Sequence, residues 1–250
     1  MSDESHTDTP TVVLVHGAFA DGSSWSGVIE RLNRRGVKVT APANPLRGIE
    51  FDSTYTASIL RQTSGPVVLV GHSYGGAVIS NAAIQADNVV GLVFVAAFAP
   101  DEGERLGEVE AGSKDSVLNS ALVPMQYPTA DGGSATEFAI DPSKARVAFA
   151  GDLSDEQAAV IAAVQRPVAE AAFSEPNGPP AWKHLPSWAV VATGDKAAGT
   201  DVVRSMAERA GATITEVDGS HVIMISRPDV VADVIMTAAA AVSRPMATAG

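Results

Sequence analysis

The chain has 250 residues, 46% of them hydrophobic, and 17 Lys+Arg against 29 Asp+Glu give it a formal net charge of −12. A length of this order buries about three-quarters of the unfolded chain's surface, and the absence of cysteine removes disulfides, thiolate metal sites and a cysteine nucleophile. The acidic balance lacks the basic footprint that displaces counterions from nucleic acid or holds an anionic membrane surface.

The opening stretch MSDESHTDTP carries neither the basic nor the apolar region of a secretory signal. The long apolar run Val89 to Ala99 falls well short of the roughly 20 residues that span a bilayer. A soluble, cytoplasmic protein with no nucleic-acid or membrane partner is expected, as a monomer or homodimer.

The first buried strand is predicted at Val12–Val15 and runs into the loop His16-Gly17-Ala18-Phe19-Ala20-Asp21-Gly22. Backbone amides in such a loop are placed to stabilise an oxyanion. A helix follows over Ser24–Arg34, with Trp25, Val28, Ile29 and Leu32 at helical spacing, Ser23 or Ser24 as cap, and Gly36 beyond its end. Further strands are expected at Val37–Thr40, Val67–Val70 and Val89–Val95. Each run is apolar on both faces, the pattern of parallel strands covered by helices on either side.

The alternation of strand and helix breaks between Pro100 and Pro186, where no buried strand is evident. A helix is predicted there over Ser154–Gln165, with Ser154 and Gln157 in capping-box spacing. Residues 100–186 are therefore expected to form a helical cap inserted into a core built from 1–99 and 187–250. Strand signals resume at Trp188–Ala192 and Thr213–Val217. Between them a helix is capped by Thr200 or Asp201 and ended by Gly211, and a last helix opens at Arg227-Pro228-Asp229. Six strands flanked by helices make the expected class α/β. Residues 243–250 read as a frayed tail.

The sharpest chemical signal is Val67-Val68-Leu69-Val70-Gly71-His72-Ser73-Tyr74-Gly75-Gly76, a Gly-x-Ser-x-Gly between a strand and a helix. A turn this tight brings backbone too close for side chains two residues before and after the serine. It lifts Ser73 Oγ above the sheet, with the Tyr74 amide facing the same space. Of the histidines, His221 follows the last strand and can reach that serine, whereas His6 lies in the tail, His184 in the cap, and His72 points away from Ser73. His16 is expected to order its loop rather than transfer protons. Asp195, after the preceding strand, is the favoured acid partner in the chain order serine, acid, histidine; Asp201, Glu216 and Asp218 compete with it.

These segments, HGAFADGSSW, GHSYGG, TGDKA and DGSHVIMISRP, resemble the α/β-hydrolase superfamily. They are most similar to the branch of small bacterial esterases, plant methyl-ester esterases and hydroxynitrile lyases. The resemblance implies a six-stranded parallel sheet under a helical cap, with Ser73 as nucleophile, His221 as base and Asp195 as acid. It also implies an oxyanion hole from the amides of Ala18 and Tyr74, with Phe19 the alternative donor. Lyases of the branch typically carry threonine at the position of Gly17 and lysine at that of Val222, so cyanohydrin cleavage is not expected. Superfamily members with an aspartate nucleophile are disfavoured by Ser73.

The expected activity is a carboxylesterase acting on small or medium neutral esters. A lactonase or carbon–carbon bond hydrolase is one alternative, and a catalytically idle small-molecule binder is another. No cofactor and no metal are expected, and Phe19, Trp25, Phe98, Trp182 and Val222 are candidate substrate-binding residues, with Tyr74 a further wall candidate.

Overall fold

The computed structural model describes residues 9–243. The tail expected from residue 243 therefore lies, from 244 on, outside the described residues, as does His6.

A six-stranded sheet organises the molecule: β1 (Thr11–Val15), β2 (Val39–Thr40), β3 (Val67–His72), β4 (Val89–Val95), β8 (Ser187–Ala192) and β9 (Thr213–Val217), in the spatial order β2-β1-β3-β4-β8-β9. Every pairing within it is parallel. All residues of β3 and β8 are buried, as runs apolar on both faces require. The chain reverses its direction of winding between β1 and β3, and the crevice above the carboxyl ends of strands at such a switch point is where open α/β sheets place ligands. The loops after β1 and β3 both open there.

Helices α1 (Ser26–Arg34), α2 (Ile49–Gln62), α3 (Gly75–Ala83), α8 (Thr200–Arg209) and α10 (Pro228–Val242) flank this sheet. The cap expected at Ser23 or Ser24 is supplied instead by Asp21, whose carboxylate accepts from Ser23 N before a short 3-10 turn over Gly22–Trp25 leads into α1. Gly36, with φ 75°, follows α1 in the left-handed region that ends helices. The residue capping α8 is Gly199, while the expected cap Thr200 turns its hydroxyl to the Ala192 carbonyl. Pro228 opens α10 as predicted. Helix α2 carries no clear apolar stripe in the sequence, because its buried face, Ile49, Asp52, Ser53, Thr56, Ala57 and Leu60, keeps helical spacing but is half polar.

Between β4 and β8 lie α4 (Leu106–Ala111), β5 (Leu122–Pro128), β6 (Ser134–Ile140), α5 (Ala145–Ala148), α6 (Asp155–Val164), β7 (Val168–Ala169) and α7 (Ala171–Ser174); the short α9 (Ile223–Ser226) follows β9. The expectation of a purely helical cap is corrected here: β5, β6 and β7 form a small antiparallel sheet. Its edge strand β5 carries Pro124 and Pro128 and is mostly exposed, so it lacks the buried apolar run that marks the central strands. The predicted capping box at Ser154 and Gln157 is present at the start of α6. Among the described residues no helix is long and apolar enough to cross a membrane.

Candidate active site

Ser73 follows β3 directly, with φ 54°, a left-handed conformation that a non-glycine residue holds only when its surroundings impose it. Its carbonyl accepts from Gly76 N at 2.9 Å and Phe98 N at 3.2 Å, and its own amide donates to Val95 O at 3.3 Å. A Cβ on Gly71 would come within 2.5 Å of Gly75 O, and one on Gly75 within 2.6 Å of Val15 O. The glycines are thus set by backbone contact, Gly71 across the turn and Gly75 against the end of β1. Gly17 adds a constraint not evident from the motif: a Cβ there would lie 2.6 Å from Ser73 Cβ.

Asp195 and His221 stand on the loops after β8 and β9, each 1% exposed, so the bond between them is shielded from water. His221 Nδ1 donates to Asp195 Oδ2 at 2.8 Å, while Asp195 Oδ1 accepts from the amides of Ala197 at 2.9 Å and Ala198 at 3.0 Å. This fixes the imidazole with its proton on Nδ1 and leaves Nε2 as the basic nitrogen. The competing acids are engaged elsewhere. Asp201 accepts from Ser113 Oγ and Lys114 N, Glu216 pairs with Arg204, and Asp218 accepts from Thr193 Oγ1.

Two further histidines brace the site. His16 Nε2 accepts from Asn44 N at 2.9 Å, so its Nδ1 carries the proton and donates to Gly17 O. Burial, opposed by the Gly17 hydrogen bond, lowers its pKa to about 4. Its two hydrogen bonds tie the loop after β1 to Asn44. His72 lies wholly buried; its Nε2 donates to the His221 carbonyl at 3.0 Å and its ring lies 4.7 Å from that of His221. Burial holds the His72 pKa well below the usual histidine value.

Among the described residues, the amides of Ala18, Phe19 and Tyr74 donate to no backbone carbonyl. Phe19 itself has φ 61°, a second strained residue beside the elbow. The Tyr74 side chain points away from the opening: its hydroxyl donates to the buried Asp52 at 2.7 Å, and burial raises the Asp52 pKa.

The candidate wall residues separate. Phe19 and Val222 line a cavity of about 110 Å³ together with Phe149 and Ile225, next to the histidine loop but with none of Ser73, Asp195 and His221 in its lining. Trp25 is fully buried and stacks edge-on against His72, so it belongs to the packing beneath the site. Trp182 donates to Pro100 O at 3.1 Å, and Phe98 is buried with its amide on Ser73 O. Sequence reasoning missed Phe149, whose ring lies 5.0 Å from His221 and 6.1 Å from Phe19. A larger cavity of about 490 Å³, lined by Leu118, Leu122, Phe138 and Phe173 among others, lies wholly within the insertion and touches none of Ser73, Asp195 and His221. Among the described residues no group of three or more His, Cys, Asp or Glu side chains is placed to hold a metal ion.

Comparison with known proteins gives this geometry a context. A profile described as the Alpha/beta hydrolase family matches residues 12–234. A pyrethroid hydrolase of Sphingobium wenxiniae is 35% identical over 98 residues, 34% of this chain and 35% of that protein. A carbendazim hydrolyzing esterase of a Nocardioides species is 32% identical over 107 residues, 38% of this chain and 44% of that protein. The matched stretches thus span less than half of either relative. The crystal structure of polyneuridine aldehyde esterase superposes with a TM-score of 0.77 at 20% identity, covering 92% of this chain and 98% of that one, a likeness of fold.

Proposed function

From the premise that the chain belongs to the alpha/beta hydrolase family, we propose that it is a serine carboxylesterase working through Ser73, His221 and Asp195. The observation that carries the reading is the buried 2.8 Å hydrogen bond from His221 to Asp195, with the His221 ring 4.7 Å from that of His72, the residue before a Ser73 in strained left-handed conformation.

Ser73 Oγ attacks the ester carbonyl carbon as His221 Nε2 takes its proton. Asp195, already hydrogen-bonded to Nδ1–H, stabilises the imidazolium that forms. The amides of Tyr74 and Ala18, with Phe19 the alternative to Ala18, receive the tetrahedral oxyanion. Such preset donors are worth about 3 kcal/mol each because they need no reorganisation during the reaction. Collapse of the intermediate expels the alcohol, which takes the proton from His221, and leaves an acyl-Ser73 ester. Water, deprotonated by the same imidazole, then attacks that ester, and as the intermediate collapses His221 returns the proton to Ser73 Oγ and the carboxylic acid leaves.

The substrate class follows from the walls. Phe149, whose ring lies 5.0 Å from that of His221, and the buried Val222 that follows the histidine offer an apolar surface beside the base, which suits a small or medium neutral acyl group. The net charge of −12 disfavours highly anionic substrates. The names of the two relatives, a hydrolase and an esterase, support the same reaction type. Ser73→Ala is expected to abolish hydrolysis of p-nitrophenyl acetate while the circular dichroism spectrum stays native; retained turnover would overturn the assignment. Across a series of nitrophenyl esters, kcat/KM is expected to fall at long acyl chains.

A further inference from the structure

We propose that Asp152, carried by the segment 100–186, is a positioning residue for His221, so that this segment completes the catalytic base as well as covering the site. The inference rests on the reading of His221 as that base.

Residues 219–221 are held from two sides. From the sheet, Gly194 N donates to Gly219 O at 2.9 Å, and His72 Nε2 donates to His221 O at 3.0 Å. From the insertion comes Asp152. Its Oδ1 accepts the hydroxyl proton of Ser220, the residue immediately before His221 and itself only 5% exposed. Its other oxygen lies against Gly219, where an added Cβ would come within 2.8 Å of Oδ2. The carboxylate therefore meets the loop at two successive residues, at a place where a side chain on Gly219 would push it out.

Asp152 is itself held in place. Its turn joins α5 to α6 and is closed by Leu153 N to Ala150 O at 3.1 Å, by Arg146 Nε to Leu153 O at 3.3 Å, and by the capping box at Ser154. Phe149, at the other end of the same turn, packs its ring 5.0 Å from that of His221. One short segment thus supplies both an apolar wall for the imidazole and an acceptor for the residue before it. Burial works to raise the Asp152 pKa, but the neighbouring donors together, Ser220 first among them, hold it below the usual carboxylate value, so the group stays an acceptor-only carboxylate.

The consequence is mechanistic. Catalysis needs Nε2 within hydrogen-bond reach of Ser73 Oγ, and displacement of a reacting group by about 1 Å costs on the order of 100-fold in rate. Asp195 fixes the ring's tautomer, but the backbone carrying the ring is set in part by Asp152 through Ser220.

The test uses the full chain, p-nitrophenyl acetate, and titration of competent sites with a nitrophenyl phosphonate. Asp152→Ala is expected to lower kcat per titrated site by about 10- to 100-fold with KM changed less than about threefold. Asp152→Asn keeps the acceptor for Ser220 and is expected to recover most of that loss. Ser220→Ala, which removes the donor and leaves the turn intact, is expected to lower kcat about tenfold, and it decides the matter if Asp152→Ala fails to fold. Wild-type kcat per site in both Asp152→Ala and Ser220→Ala, or a loss confined to KM, overturns the proposal. Ser73→Ala, run in parallel, separates the two readings: if it is inactive while Asp152→Ala is fully active, only the positioning role fails. If it keeps turnover, the triad reading fails and the positioning role with it.

Discussion

The parallel sheet and the insertion between β4 and β8 hold their strands by different means. In β3 and β8 every residue is buried, and the chain leaving each strand delivers one proposed catalytic side chain, Ser73 or Asp195, to the same edge. In β5 most residues are exposed, with Val123 and Met125 at 41% and 43%, and no functional side chain comes from that strand. The sheet gains its rigidity from packing on both faces. The insertion is anchored to the site by particular contacts, Phe149 and Asp152 on the histidine loop.

If that contrast is right, substitutions should divide sharply between the two regions. The largest effect is expected at the acid. Asp195→Asn keeps the shape but can present its amide N–H toward His221, favouring the wrong tautomer, and should cost about 10⁴ in kcat, measured with a nitrophenyl ester on natively folded protein. A loss below tenfold would remove Asp195 from the triad. Next comes the core: Leu69, fully buried at the centre of β3, should lose about 2–5 kcal/mol of stability on change to alanine, read from urea unfolding.

Acid follows. His16 has its pKa held at about 4 by burial against 6.5 in the unfolded chain, so the unfolded state binds the extra proton first. Its stabilising contribution is complete above about pH 6.5 and is lost as pH falls towards 4, a change of about 3 kcal/mol. Urea midpoints measured between pH 7 and pH 4.5 should fall more steeply for the wild type than for His16→Gln, and equal slopes would contradict the buried neutral state. The smallest effect is expected on the insertion's edge strand, where Val123→Ala should stay within about 0.5 kcal/mol of wild type.

The same contrast explains what could be read from the sequence. Ser73 and Asp195 each follow an apolar run buried on both faces, so periodicity located those strands and the loops after them followed; His221 follows β9, an edge strand of exposed and half-buried residues whose Ile214 and Val217 still marked it. The capping box of α6 and Pro228 at the start of α10 are local signals and were equally legible. The small sheet was not, because β5 is an exposed edge strand broken by prolines. Helix α2 was hidden by the polar residues on its buried face, although one of them, Asp52, anchors the hydroxyl of Tyr74, the residue after Ser73. Phe149 and Asp152 left no mark at all. Asp152 meets Ser220 across 68 positions of chain, and no local spacing reports a contact made only when two loops are brought together.

Hydrolysis by the proposed triad requires Ser73 as the activated nucleophile. Treatment with a nitrophenyl phosphonate followed by peptide mass spectrometry tests this directly. One adduct per chain is expected, on the peptide containing Ser73, forming at a rate that collapses in His221→Ala. An adduct confined to another residue, or no adduct on a chain that still hydrolyses esters, would contradict it.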